Sequence, residues 1–540
     1  MLRRIAAPLV LLLILAAPLP AGWAAPAGPA ALPQAYVDTT YPSPTGRTTT
    51  VKTGGDFQAA LNAAQPGDVI QLEAGSIFTG NFTLPKKTGA GWIIVRTSAP
   101  DSSLPAPGAR VTPAHSSLMP KVVSPNGNPA VTAAPGSHHY RLVGIEFTIT
   151  PQVKGIYSIV AFGGDQKSLE DTPHHLILDR SYVHGLPAIN SFRGVLLNSA
   201  SSAVIDSHIS DIHVDGFDSQ AILGYNGPGP FKIANNYLEG AGENIMFGGA
   251  DPHIANLTPS DIEVRGNYFF KPLSWRIGHP SYAGKPWTIK NLFELKNARR
   301  VLVDGNLFEN CWQHAQTGFA ILFTPRNQQG GAPWSTVEDV SFVNNIVIRS
   351  ASGVSFLGRD DSQQSGSTKR ITIANNLFAG LEKTLFQLQG AAMDSIVIEH
   401  NTAFAPSFAT LFIEAAPVTN FVYRNNLTHH GAGGISGNTL GTGTAAIQHY
   451  FPNAIFQKNV FLGGPGITNL AQKYPDGTSL VTVENAGFMD LARGDYRLGP
   501  SSPFKRAATD GKDIGMDFDA LARLAEIAAG ASRAARPVAR

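Results

Sequence analysis

The stretch Ile371-Thr372-Ile373-Ala374-Asn375-Asn376-Leu377 decides the fold, because versions of it recur along the chain. In each version, a short run of alternating apolar side chains is followed by a polar turn and then by one polar residue in a fixed frame. That position is occupied, at intervals of 25 to 39 residues, by Ser181, Ser207, Asn236, Asn267, Asn306, Asn345, Asn376, Asn401 and Asn426. A period of two predicts β-strands, and strand repeats of this length predict a solenoid.

A second apolar strand follows each of these positions, as in Gly353-Val354-Ser355-Phe356 and Thr384-Leu385-Phe386. No helical period separates the strands, so a fold with helices between parallel strands is not predicted. The sequence therefore predicts an all-β solenoid in which the recurring asparagines stack, each side-chain amide bonding to the next coil.

The chain resembles the pectate-lyase-like superfamily of right-handed parallel β-helices. The stretch from Gly54-Gly55-Asp56-Phe57 to Pro66-Gly67-Asp68-Val69-Ile70 is similar to the N-terminal cap of that group, where a short helix closes the solenoid. Tyr496-Arg497-Leu498, Ser501-Ser502-Pro503 and Asp513-Ile514-Gly515 resemble its terminal coils. The resemblance implies a right-handed parallel β-helix over residues 51–517, with a short capping helix and a small helical or flexible C-terminal tail at 518–540. It does not imply one activity, since this fold hosts lyases, hydrolases, esterases and adhesins.

Residues 1–24 have the pattern of a signal peptide. Arg3 and Arg4 precede a short apolar run, and Gly22-Trp23-Ala24 has the small-x-small pattern of a cleavage site. The run is shorter than the roughly 20 residues that a membrane span requires. We expect a secreted or periplasmic protein with no membrane association after signal removal, and an N-terminal linker at residues 25–50.

Charge and cysteine content narrow the partners. Removal of the signal lowers the 41 basic residues to 39, equal to the 39 acidic ones, which disfavours a nucleic-acid partner. Cys311 is the one cysteine of the chain, so no internal disulfide is predicted. We expect a monomer whose partner is an acidic polysaccharide substrate.

Two coils are longer than the others. From the ladder position to the phenylalanine of the next strand the count is 10 or 11 residues in most coils, but 26 from Asn267 to Phe293 and 17 from Asn306 to Phe323. The return segments in the same region are also long. Loops on a rigid scaffold often carry function, so these insertions predict the walls of a cleft.

A basic row is predicted on the floor of this cleft. If Phe247, Phe293, Phe323 and Phe356 are aligned and point inward, the third residue beyond each points outward. Those residues are Ala250, Lys296, Arg326 and Arg359. Three cations would then stack at the spacing of neighbouring coils, about 4.8 Å. The alternative is a salt-bridged surface in which Glu294, Asp360 and Asp361 neutralise the row.

This row suits a polysaccharide lyase. Such an enzyme neutralises a uronate carboxylate, removes the adjacent proton and expels the glycosidic oxygen. Candidate catalytic residues are Lys296, Arg326, Arg359, His314 and Glu294, with Arg326 or Lys296 as the base. Candidate substrate-binding residues are Lys290, Trp275, Trp287, Trp312, Trp334, Asn327 and Gln328. The tryptophans either stack on sugars or pack the insertions onto the solenoid.

Other functions remain open. Asp251, Asp360 and Asp361, with Glu243, could supply part of a Ca²⁺ site, although the pattern requires no cofactor. A glycoside hydrolase needs two carboxylates about 5–9 Å apart, and the residues aligned beside Glu294 are Gly248 and Thr324, so its partner would come from a loop. A non-catalytic polysaccharide-binding or surface β-helix would lack a convergent ionisable cluster. The histidine pairs at 138–139, 174–175 and 429–430 lie in separate coils without ligand spacing, so no metal is predicted there.

Overall fold

The structure is a computed structural model that describes residues 30–404 and 407–518. The predicted signal peptide and all of the predicted C-terminal tail except Phe518 lie outside the described residues. Within the described residues, no helix is long and apolar enough to cross a membrane.

Three long parallel sheets form the described part of the chain, and neighbouring strands within each sheet come from successive coils. Sheet A comprises Thr48–Val51, Val69–Leu72, Ile93–Thr97, His138–Val143, His174–Asp179, Ser202–Ile205, Phe231–Ala234, Ser260–Arg265, Ala298–Asp304, Val337–Val343, Thr368–Ala374, Asp394–Glu399, Val422–Arg424 and Ile455–Gln457. Sheet B comprises Ile77–Thr79, Lys121–Ser124, Glu146–Ile149, Tyr182–His184, His208–Ile212, Tyr237–Gly240, Tyr268–Phe270, Leu307–Cys311, Ile346–Ser350, Leu377–Ala379, Thr402–Ala403, Leu427–His429, Val460–Gly463 and Ser479–Thr482. Sheet C comprises Phe82–Leu84, Val131–Ala133, Val160–Phe162, Arg193–Leu197, Gln220–Gly224, Glu243–Phe247, Phe293–Leu295, Phe319–Phe323, Ser352–Leu357, Thr384–Gly390, Ala409–Ala415 and Ile435–Gly437. This arrangement confirms the predicted parallel β-helix.

Small elements complete the described chain. Gly155–Ile156 pairs with Asn190–Ser191, and Phe488–Asp490 pairs antiparallel with Asp495–Leu498. The α-helices are Phe57–Ala63 and Thr444–Tyr450, and the 3₁₀ helices are Asp101–Ser103, Pro113–Leu118, Leu273–Trp275, Ile467–Lys473, Glu484–Ala486 and Leu491–Arg493. Asp56 begins the first helix by accepting a hydrogen bond from Ala59 N at 2.8 Å, and Phe57 and Leu61 are buried in the core. The winding sense of the coils and the capping role of this helix stay predictions.

The predicted asparagine ladder is present between sheets A and B. Asn236, for example, donates from its backbone N and from Nδ2 to Asn267 Oδ1, both at 2.9 Å. The same pattern repeats from Asn267 through Asn306 to Asn426 and ends at Asn459. Asn459 was not among the ladder positions predicted from the sequence repeats. The asparagines are fully buried. Each coil is therefore tied to the next by interior hydrogen bonds as well as by apolar packing.

The strand register corrects the predicted alignment of cations. Phe247, Phe293, Phe323 and Phe356 are all buried, as predicted. However, Leu295, not Phe293, pairs with both Phe247 and Phe323. Because Leu295 pairs with Phe323, the next residues, Lys296 and Thr324, lie side by side. Arg326 lies two residues beyond Thr324, so Lys296 is not aligned with Arg326 and Arg359. The prediction of three aligned cations is wrong because Phe293 and Leu295 both point inward, and the aromatic side chain does not mark the register.

The segment before the first strand lies along the outer face of sheet A. Ala31 N donates to Asp339 Oδ1 at 3.1 Å, and Gln34 N donates to Asp261 Oδ1 at 2.8 Å. Nearer the first coils, Arg141 Nη1 donates to Thr39 O at 3.0 Å. The part of the predicted linker that the structure describes therefore crosses several coils, held by backbone hydrogen bonds to their side chains.

Candidate active site

A pocket of about 310 Å³ lies on the outer face of sheet C, beside the two long insertions. Its lining residues are Glu294, Lys296, Gln316, Leu322, Thr324, Arg326, Asn327, Gln328, Asp360, Ser362 and Gln363. The fold thus brings together Glu294, Lys296 and Arg326, three of the predicted catalytic residues, although not in the aligned row that the sequence predicted.

Glu294 lies at the base of this pocket. It is placed outward by the alternation of its strand, because Phe293 and Leu295 on either side are fully buried. Its Oε1 accepts a hydrogen bond from Thr324 Oγ1 and its Oε2 one from Asn291 Nδ2, each at 3.0 Å. Lys296 Nζ lies 3.8 Å from Oε1. A 2% exposed carboxylate is thereby oriented toward the Lys296 amine.

A second acidic group lies behind the pocket, in the preceding coil. Glu243 is fully buried, and its Oε2 accepts a hydrogen bond from Gln220 Nε2 at 2.7 Å. Lys290 Nζ lies 3.5 Å from its Oε1 and 2.7 Å from Asp218 Oδ2. Burial raises the pKa of the Glu243 carboxyl to about 7, against the opposing effect of Lys290. Burial by itself lowers the pKa of the Lys290 amine, but the nearby carboxylates of Glu243 and Asp218 raise this pKa by more.

Sequence reasoning considered Glu243 only as a Ca²⁺ ligand and did not find Gln220 or Asp218. Gln220 and Glu243 begin consecutive strands and are paired in sheet C. This pairing would have identified Gln220 as a neighbour of Glu243, but it can be recognised only when the strand register is known.

Arg326 forms the opposite side of the pocket. Its Nη1 donates to Asp360 Oδ1 at 3.0 Å and also contacts Asp361. Burial opposes the charged form, yet the hydrogen bonds that Arg326 donates to Asp361 and Asp360 raise the pKa of its guanidinium. Arg359 is exposed and is not among the lining residues. The salt-bridged alternative therefore describes Arg326 well, with Arg326 rather than Arg359 as the partner of the two aspartates.

The three aspartates proposed for Ca²⁺ do not converge. Asp251 Oδ2 accepts hydrogen bonds from Gly331 N at 2.7 Å and Gln329 N at 3.1 Å, so it holds the neighbouring loop. Asp360 is engaged by Arg326 and by Asn327 N. Within the described ranges, the groups close enough to hold a metal do not include these residues. The predicted trio is corrected because Asp251 is bound by the loop that contains Gln329 and Gly331, whereas Asp360 and Asp361 are bound by Arg326.

The amide side chains differ in availability. Asn327 donates from Nδ2 to Gln364 O at 2.8 Å and accepts from Ala332 N at 2.7 Å, so it shapes the loop rather than offering a free amide. Gln328 is exposed at the edge of the pocket. His314 is exposed and does not line the pocket, and its Nδ1 accepts from Ile289 N at 3.3 Å.

Most tryptophans of the insertions are buried. Trp275, Trp287 and Trp312 are buried in one cluster, and Trp287 stacks on His213 with ring centroids 3.9 Å apart. Trp334 is half-buried and donates from Nε1 to Leu257 O at 2.9 Å. The first three rings are not accessible to sugars, which corrects their prediction as substrate-binding residues. The alternative, that they pack the insertions onto the solenoid, is confirmed for them.

Comparison with known proteins gives similarity to solved structures only. No protein-family model and no curated protein matches the chain. An alginate lyase from Paenibacillus sp. str. FPU-7 matches at 12% identity, covering 73% of this chain and 98% of its own, with a TM-score of 0.30. Pectate lyase Pel9A matches at 13% identity, covering 87% and 96%, with a TM-score of 0.32. The catalytic unit of a GH87 α-1,3-glucanase from Streptomyces thermodiastaticus strain HF3-3 matches at 12% identity, covering 83% and 69%, with a TM-score of 0.43.

Similarity at this level carries no argument about activity. The chain's own three parallel sheets and asparagine ladder define it as a parallel β-helix protein, which is the fold that the predicted resemblance implied. The function must be argued from the pocket itself.

Proposed function

We propose that the protein is an exported polysaccharide lyase that cleaves an acidic, uronate-containing polysaccharide by β-elimination in the sheet C pocket. One observation carries the proposal: Lys296, Arg326 and Glu294 converge on one surface pocket whose other lining side chains are mostly amides and hydroxyls. Cations recognise the uronate carboxylate, and amides and hydroxyls suit the hydroxyl groups of sugars.

Arg326 is the residue suited to neutralise charge. Because Asp360 and Asp361 raise its pKa, it keeps its proton and is a poor base. A permanently charged guanidinium can bind the uronate carboxylate and stabilise the charge that develops there as the adjacent carbon loses its proton. Asp361 is 63% exposed, so a substrate carboxylate can displace it from Arg326.

Lys296 is the residue suited to take the proton. Its side chain is 12% exposed and lines the pocket, and Glu294 holds it from one side. In the proposed step, the Lys296 amine accepts the proton next to the carboxylate, a carbon–carbon double bond forms, and the glycosidic bond breaks with its electrons passing to the leaving oxygen. Solvent supplies the proton for that oxygen.

A glycoside hydrolase is the second candidate, supported by the Glu243 carboxyl, whose pKa near neutrality is that of a general acid. In the observed register, Met246 and Leu322 flank Glu294, in place of the Gly248 and Thr324 that the sequence alignment put there. Glu243 is therefore the nearest acidic group that the adjoining strand supplies. However, it is fully buried and does not line the pocket, so its proton has no path to a glycosidic oxygen. This difference favours the lyase.

The test is ultraviolet detection of unsaturated uronate products after purified protein is incubated with a panel of uronate polysaccharides. We expect product with at least one polymer, and a loss of about 100-fold or more in rate for Lys296→Ala and Arg326→Ala. Lys369→Ala, which removes a partly exposed lysine from sheet A, is the matched control and should retain full activity.

The alternatives predict different products. If new reducing ends form without unsaturated uronate, the protein is a hydrolase and the lyase proposal is wrong. Retention of polymer by the protein without any product would favour the non-catalytic binding protein.

A further inference from the structure

Two histidine pairs that are 36 residues apart in sequence lie side by side on sheet A. His138 and His139 begin one strand, His174 and His175 begin the strand of the next coil, and the register pairs His174 with His138. All four side chains are half-buried. The expectation that separate coils keep these histidines apart is therefore wrong, since the interval between them is one turn of the solenoid.

The four imidazoles form a square. Rings from different coils are parallel, with His138 and His174 at 4.9 Å and 10° and His139 and His175 at 4.4 Å and 7°. Rings within one coil are nearly perpendicular. The Nδ1 atoms of His138 and His139 are 2.9 Å apart, and those of His174 and His175 are 2.7 Å apart. The two Nδ1 atoms of each pair therefore face each other along one edge of the square.

The backbone explains why successive residues share one face. His139 and His175 have φ values of 59° and 55°, in the left-handed region, which interrupts the alternation of the strand. The equivalent residues of later coils, including Asp261, Arg300 and Asp339, also have positive φ. In those coils the stacked side chains are ion-paired, as in Arg300 with Asp261 at 2.7 Å. In the coils of His139 and His175 the same position instead carries stacked imidazoles.

We propose that His139, His174 and His175 form a binding site for Zn²⁺. One ligand nitrogen from each of these residues lies within 4.8 Å of those of the other two. Tetrahedral zinc with bonds of about 2.0–2.1 Å needs ligand nitrogens about 3.3 Å apart. Small side-chain rotations bring the three nitrogens to that spacing, and His138, in contact with His139, or a water completes the coordination. Imidazole is a preferred zinc ligand.

Zinc at this place would join neighbouring coils rather than take part in the chemistry of the sheet C pocket. It would link the strands His138–Val143 and His174–Asp179 next to Trp92, whose ring lies 5.2 Å from that of His139. Trp92 packs with Val37 of the segment that crosses sheet A. The bound ion should therefore raise the melting temperature of the protein by stabilising this end of the solenoid.

The test is calorimetric titration of untagged, chelator-treated protein with ZnCl₂, supported by the visible spectrum of the Co²⁺ form. We expect one ion per chain, a tetrahedral Co²⁺ spectrum and a higher melting temperature with zinc. His139→Ala and His174→Ala should each weaken zinc binding by about 100-fold or more. His253→Ala, which removes an exposed histidine outside the cluster, should leave it unchanged.

Circular dichroism establishes that each variant is folded, and His174→Gln replaces His174→Ala if the latter is not. The absence of stoichiometric binding by the wild-type protein would overturn the proposal. Unchanged affinity in the folded double variant of His139 and His174 would also overturn it.

Discussion

Replacing one internal asparagine should destabilise the solenoid far more than the size of the side chain suggests. Asn306 is fully buried near the middle of the ladder. Its Oδ1 accepts from Asn267 N at 2.9 Å and Asn267 Nδ2 at 3.0 Å. Its Nδ2 donates to Val264 O and Asn345 Oδ1, each at 3.0 Å. Asn306→Ala removes these four hydrogen bonds and leaves buried polar groups of both neighbouring coils without a partner.

The expected loss in the free energy of unfolding is about 4 kcal/mol, from about 1 kcal/mol for each bond. The unpaired N–H of Asn267 and carbonyl of Val264 add to this loss, because both residues are fully buried. Guanidinium denaturation followed by far-ultraviolet circular dichroism measures the free energy. Hydrogen exchange should show the increased opening concentrated in the strands on either side of residue 306.

The matched control is Asn469→Ala. Asn469 is exposed in the 3₁₀ helix Ile467–Lys473, and its loss should change stability by about 0.5 kcal/mol or less. If Asn306→Ala were no more destabilising than Asn469→Ala, the ladder would not contribute to stability as argued. An increase in exchange spread evenly over the protein would contradict the local origin of the effect.

Two further predictions concern the site and its insertions. Glu243 has a folded-state pKa of about 7, above the ordinary value near ~4.3, so its burial destabilises the fold increasingly as pH rises through that interval. Glu243→Gln removes this penalty, so the stability of the variant relative to wild type should increase by about 3 kcal/mol from pH ~5 to ~8. A stability difference between variant and wild type that stays constant over this pH range in denaturation experiments would contradict the prediction. Trp287→Ala should lower the free energy of unfolding by about 3–5 kcal/mol, because the ring is 3% exposed. A loss below about 1 kcal/mol in denaturation experiments would indicate that the ring is exposed to solvent rather than buried.

The fold was predictable because its main determinants are local and repeat. The alternation before Asn376 and the recurrence of that frame every 25 to 39 residues required no knowledge of long-range contacts. Asn459 was missed because it follows Gln457-Lys458, where the preceding strand is only Ile455–Gln457 and the apolar alternation is weak. Periodicity identifies a coil only when several of its strand positions are apolar.

The site was only partly predictable, because it depends on register. Lys296, Arg326 and Glu294 were found because the long insertions mark the neighbouring strands. Their mutual arrangement was wrong because inward positions two residues apart, Phe293 and Leu295, are interchangeable in sequence but not in pairing. A shift of two keeps each side chain on its face and moves it along the strand. The histidine square was not predicted for a related reason. Residues that are neighbours in adjacent coils are separated in sequence by one coil, and the length of a coil varies.

The insertions have a role different from the one their tryptophans suggested. Trp275, Trp287 and Trp312 are buried in one small apolar cluster, separate from the main core of the solenoid. This cluster holds the polar residues at its margins in place, among them Gln316, whose Oε1 accepts from Asn291 Nδ2 at 3.1 Å. Asn291 in turn donates to Glu294. The apolar part of the insertions therefore positions the site, and their polar part lines it.

The pairing of charges then indicates where an anionic substrate gains most. Arg326 is held by Asp360 and Asp361, and Lys290 by Asp218 and Glu243, so each of these cations faces two carboxylates. In the described part of the chain, the ion-pair partner of Lys296 is Glu294 alone, at 3.8 Å, and Thr324 and Asn291 also donate to that carboxylate. Of these three basic residues, Lys296 thus has the fewest carboxylate partners. Under the proposed lyase function, a uronate carboxylate that displaces the exposed Asp361 from Arg326 would bind in the pocket that Lys296 also lines, so that recognition of charge and removal of the proton take place in one pocket.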